Sequence, residues 1–139
     1  MEISLVRRRL TETIERAKKQ AVERRGRGDQ ASRDFDVFLQ KIAVPLCRQI
    51  ANALKADGYA FTVFTPSGSV RLMSDRAAED YIELTLDTSD DPPRVMGQVS
   101  RTRGSRVIDA ERAIGAPDTL TEEQVLEFLL KELEAFVER

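Results

Sequence analysis

Apolar positions along this chain follow a helical period up to residue 57, alternate from residue 59, and return to a helical period near residue 121. In the first stretch Ile3, Val6, Leu10, Ile14, Ala17 and Ala21 form a thin stripe, and strong helix formers fill the positions between them. Glu12/Arg16 and Glu15/Lys19 add pairs at the favourable i,i+4 spacing. This predicts a helix over residues 2–25, suited to a domain edge or a short helix–helix seam. "RGRGDQ" (25–30) brings two glycines and predicts a break. A second helix follows over 32–57, with Phe35, Phe38, Leu39, Ile42, Leu46, Ile50, Ala53 and Leu54 on a broad face. Pro45 lies inside it. Proline lacks a backbone donor and crowds the preceding turn, so a kink or a break is expected at Val44–Pro45. Gly58 stands where a left-handed residue would end the helix.

The alternating stretch predicts short strands: "YAFTVF" (59–64), "VRLMS" (70–74) after a Pro/Gly turn, "YIELTLD" (81–87), "RVMGQVS" (94–100) and "RVID" (106–109). In 81–87, Ile82, Leu84 and Leu86 fall on one face, with Tyr81, Glu83, Thr85 and Asp87 on the other, the mark of a sheet with one wet side. "ERAIGAP" (111–117) reads as irregular. Residues 121–138 close the chain as a helix, opened by a Thr121/Gln124 capping box and buried along Val125, Phe128, Leu129, Leu133, Phe136 and Val137. The expected fold is α+β: an antiparallel four- to five-stranded meander sheet packed by helices on one face, preceded by a basic N-terminal helix. The expected division is a basic helix with a Gly-rich linker at 1–28 and a single α+β domain at 29–139.

Charge sharpens this division. The formal net charge is −2, but it is laid out in blocks. Residues 1–28 carry nine basic and four acidic side chains, net +5; residues 75–92 carry net −6; residues 93–117 return to +3; residues 118–139 fall to −5. Blocks of this kind either neutralise one another or face charged partners. The single cysteine, Cys47, allows no intrachain disulfide and lies in an apolar run, which predicts a buried, inert thiol. No window approaches a membrane span, and the N-terminus has no secretory pattern. A cytoplasmic protein without a membrane partner is the expectation.

Candidate chemistry is sparse. The chain has no histidine, which removes the commonest general base and metal ligand. No phosphate-binding GxxxxGK[ST] loop occurs. "GRGDQA" (26–31) imitates a dinucleotide fingerprint but follows a charged helix where that motif needs a strand. "DTSDD" (87–91) opens like a calcium loop, yet Pro92 stands where the sharp turn needs glycine and Gln98 where the bidentate glutamate belongs. Asp75, Glu79, Asp80 and Glu83 read as a helix cap and solvated acids. No catalytic residue, cofactor or metal site is expected, and the chain reads as a non-enzyme.

What remains is cationic. "VSRTRGSRV" (99–107) places Arg101, Arg103 and Arg106 at a hairpin tip, with Arg101 expected opposite Arg106. Like charges directly across a hairpin destabilise it, so this cluster calls for a counter-charge: the 75–92 block, an acidic protein, or a phosphate. Arg94, Arg7, Arg8 and Arg9 complete the candidate binding set, and Ile3, Val6, Leu10 and Ile14 are the candidate seam toward a partner or a second copy. The leading expectation is a protein-binding module, whether adaptor, chaperone-like or regulatory, that self-associates as a homodimer or homo-oligomer. The alternative is a nucleic-acid-binding protein gripping phosphates with the same arginines. A distant third is a small enzyme acting on a phosphorylated or anionic ligand.

Overall fold

The computed structural model describes residues 1–138. Its dominant element is one long helical rod: α1 (Ile3–Phe38), a π-helical turn (Leu39–Ala43) and α2 (Val44–Ala56). The break expected at 25–30 is absent. Gly26 and Gly28 each cost about 1 kcal/mol against alanine in a helix, but anchored neighbours offset this. The Arg27 guanidinium grips Asp91 with two hydrogen bonds, 2.9 and 2.5 Å. Gln30 donates to Asp34 and Arg33 donates to Gln30 along the helix surface, and Ala31 and Phe35 are already in the core.

Pro45 neither breaks the rod nor ends it. Without an N–H it cannot bond the carbonyl of Lys41, and its ring crowds that turn. The π-turn immediately before it widens the coil, and the Val44 N–H reaches the Leu39 carbonyl five residues back. The irregularity expected at Val44–Pro45 takes the form of this π-turn, one extra residue in the helical register, and the chain stays helical through it.

Five strands follow in simple order, β1 (Phe61–Phe64), β2 (Val70–Ser74), β3 (Tyr81–Asp87), β4 (Arg94–Arg103) and β5 (Arg106–Gly115), each antiparallel to the next. This is the meander expected from the alternation. β5 is longer than expected: "ERAIG" is strand, paired with β4 from Gln98↔Glu111 to Val95↔Gly115, with a bulge near Val95/Met96. α3 (Glu122–Val137) ends the described chain. Thr121 caps it, with the Gln124 N–H donating to Thr121 Oγ1 and the Thr121 N–H donating to Gln124 Oε1.

One face of the sheet carries the core. Val70, Leu72, Ile82, Leu84, Val95 and Val99 meet Phe35, Phe38, Ala43, Cys47 and Ile50 from the rod and Val125, Leu129, Leu133 and Phe136 from α3. At Gly97 α3 packs close against the sheet: a Cβ there would lie 2.3 Å from the Phe128 ring. The opposite face is polar, as the 81–87 alternation requires. Glu83 is nonetheless buried there, receiving Ser69 Oγ at 3.2 Å and Arg71 at 3.1 Å, while the Arg71 guanidinium stacks 4.0 Å over the Tyr81 ring. Cys47 is buried, and desolvation pushes its thiol up to about 12.

Candidate functional site

Three surface features emerge from this frame. The first is the projecting half of the rod. From Ile3 to Gln30 almost every residue is exposed, with partial burial at Leu5, Ala21 and Gly28. The candidate seam is on the surface: Ile3 is 71% exposed, Val6 46%, Leu10 56% and Ile14 45%. Positions 3 and 21 are five turns apart at 3.6 residues per turn, so the stripe runs straight along the axis. Continued along the same line, it arrives at Ala31, Phe35 and Leu39, which are buried on the sheet. The uncovered stripe is thus an extension of the face that α1 uses to build the core. Arg7 and Lys18 flank the stripe on one side. Arg8 and Arg9 turn away from Arg7 by about 100° and 200°, so the three arginines surround the helix and do not make one patch.

The second feature is the arginine hairpin. The strand register differs from the expected one. Gly104, with φ of +66°, and Ser105 form the two-residue turn, which places Arg103 across from Arg106 and Arg101 across from Ile108. Glycine at the first central position suits a turn with positive φ there. β4 pairs with β3 only as far as Tyr81↔Ser100, so beyond that residue β4 and β5 overhang as a two-stranded ribbon. The side chain of Asp80 substitutes for the missing strand: its carboxylate accepts from the Thr102 N–H at 2.7 Å and from Thr102 Oγ1 at 2.8 Å. Arg101, Arg103, Thr102 and Gly104 then face Ala135 and Glu138 at the C-terminal end of α3 across a shallow groove of about 440 Å³. That helix end carries partial negative charge, which favours cations nearby.

The acidic block at 75–92 is engaged elsewhere. Asp75 accepts from Thr62, Asp80 from Thr102, Glu83 from Ser69 and Arg71, Asp87 from Ser89, Asp90 from Arg94 at 3.3 Å, and Asp91 from Arg27. The Ser89 hydroxyl and N–H hold the Asp87 carboxyl below its usual range, and the Arg27 hydrogen bonds do the same for Asp91. Among the described residues, Arg101, Arg103 and Arg106 make no ion pair. Arg94 belongs to a different place altogether, at the far end of β4 and about 30 Å from Arg103 at strand rise. The candidate arginines therefore occupy three separate locations: the start of the rod, the hairpin, and the first residue of β4.

The third feature is a groove that the sequence did not reveal. Ile50, Leu54, Leu130 and Val137 wall an apolar trough of about 380 Å³ between α2 and α3, with Asp57 and Glu134 among its lining. Tyr59 closes one end and donates to the Val137 carbonyl at 3.5 Å. Leu130 is 52% exposed and lies off the buried stripe of α3. A lone leucine among glutamates was the available signal, but its apolar neighbours come from α2, some seventy-five residues earlier.

Among the described residues, no three histidine, cysteine, aspartate or glutamate side chains converge as metal ligands, and no helix is long and apolar enough to cross a membrane. No family model matches the chain, nor does any curated protein or solved structure.

Proposed function

We propose that this chain is a non-catalytic protein-binding module, an adaptor, chaperone-like or regulatory protein, whose working element is the projecting half of the rod. The observation that supports this is the exposure of Ile3, Val6, Leu10 and Ile14 in a row on an ordered helix that is continuous with the core. Burying one such side chain yields about 1.5–3 kcal/mol, so a partner that covers four of them gains a substantial apolar contact. The cations beside the stripe add orientation and on-rate against an acidic surface. Deleting residues 1–28 tests this. The remaining chain should stay folded, because its core begins at Ala31, and should change its solution mass or lose its bound partners. Unchanged mass and an unchanged partner set would refute the reading.

The guanidiniums of Arg101, Arg103 and Arg106, which make no ion pair among the described residues, support a second reading, contact with nucleic-acid phosphates. It requires binding that falls steeply with salt and collapses in the triple alanine variant. Flat polarisation titrations against single- and double-stranded probes at low salt would eliminate it.

A further inference from the structure

We infer that the partner of the projecting helix is a second copy of this chain, which receives it in the groove between α2 and α3; this rests on reading the helix as a binding element. Three observations converge on that occupant. The groove is lined mostly by apolar side chains and is acidic at Asp57 and Glu134, and its wall includes the exposed Leu130. A helix inserted there would present anchors at i, i+3, i+7 and i+11, the spacing of Ile3, Val6, Leu10 and Ile14.

Charge selects the same pairing. Residues 1–28 carry net +5, whereas Glu122–Glu138 holds six glutamates against Lys131 alone. Glu132 is engaged by Arg112 at 3.3 Å, which leaves Glu123, Glu127 and Glu134 spaced with Leu130 along one exposed face of α3. Arg7 and Lys18, which flank the apolar stripe, would meet these carboxylates. The other self-pairing, stripe against stripe between two projecting helices, would bring Arg7 and Lys18 of both copies along one seam, where like charges repel. The acidic groove is the complementary surface.

Geometry excludes the chain's own groove. Leu10 and Leu54 lie on the same continuous rod, 44 residues apart, or about 66 Å at helical rise. The stripe is carried away from its own groove, and only another molecule brings the two together. If each copy docks its helix in the other, the arrangement closes as a two-fold dimer with two identical contacts.

The test is a mixing experiment with the full chain. L10C and L130C variants are prepared separately, checked for wild-type melting, combined, and oxidised in a glutathione buffer. Cys47 is buried and stays silent. The expected product is the mixed disulfide between the two variants, several-fold above either homodisulfide. A charge reversal at Arg7 and Lys18 to Glu should weaken the dimer at least tenfold, and mixing it with an E127R/E134R variant should recover it. Dominance of the Leu10→Cys homodisulfide would overturn the groove as the docking site. A wild-type chain that sediments as a monomer at about 100 μM would overturn self-association, whereas loss of other partners on deletion of 1–28 would still uphold the helix as a binding element.

Discussion

The two halves of the long helix carry one stripe and meet opposite fates. From Ala31 to Ala51 the stripe is covered by the sheet and α3; from Ile3 to Ala21 the same line of positions faces solvent. The difference does not lie in helix formation, since both halves are ordered and the rod is continuous. It lies in what the sheet can reach: among the described residues, the ion pair between rod and domain nearest the N-terminus joins Arg27 to Asp91 in the β3–β4 loop. Towards the N-terminus from it, Ile3, Val6, Leu10 and Ile14 are exposed. A stripe exposed to solvent is a stripe available to another molecule, and on the proposal above the acidic groove between α2 and α3 is the surface that receives it.

Substitutions sharpen the contrast, the core giving the largest effect. Leu129→Ala, at a fully buried position, should cost about 2–5 kcal/mol in urea unfolding, through lost burial and an unfilled cavity. Leu10→Ala, with the same atoms removed from the projecting half, should change the stability of the isolated protomer by well under 1 kcal/mol. Equal losses at the two sites would abolish the distinction between the halves. Gly97→Ala comes next: its Cβ would enter the Phe128 ring, and a destabilisation of about 1–3 kcal/mol is expected. A neutral outcome would mean that α3 can lift from the sheet without loss.

The junction between the halves should respond to acid. Asp91 is held below its ordinary range by the Arg27 hydrogen bonds, so its folded-state pKa lies under the unfolded value. Its contribution is fully present above the unfolded value, near pH 4, and is lost as pH falls through the lower folded value. Amide exchange at residues 22–34, corrected for intrinsic rates, should therefore accelerate at acidic pH relative to pH 6. Asp91→Asn should remove that dependence. An identical pH response in wild type and variant would place the acid sensitivity elsewhere. The smallest effect belongs to the hairpin: Arg106→Thr relieves the cross-strand pair with Arg103 and should stabilise by a few tenths of a kcal/mol.

Much of the fold was legible because periodicity reports burial directly. The alternation in 81–87 and the Thr121/Gln124 box each specified their element from local residues alone. Where the sequence misled, a distant partner decided the outcome. Gly26 and Gly28 look like a break until Arg27 is known to grip Asp91, sixty-four positions away. Pro45 announces an irregularity, but not that it takes the form of a π-turn before the proline with the helix continuing beyond it. β5 looks irregular because an edge strand exposes residues on both faces, which erases the alternation. For the candidate site, the arginines and the apolar stripe were visible as composition. Their separation into three places was not, because it depends on which strand ends lie together. The groove was hidden altogether: its walls come from α2, Tyr59 and α3, and nothing local to any of them announces the other two.

The account turns on whether the exposed stripe is covered in solution, and hydrogen exchange of the full chain across a concentration series measures that directly. The prediction is that amides in 3–21 gain protection as concentration rises, in step with amides along Glu127–Val137. Exchange in 3–21 that stays independent of concentration, while the chain remains fully folded, would contradict it.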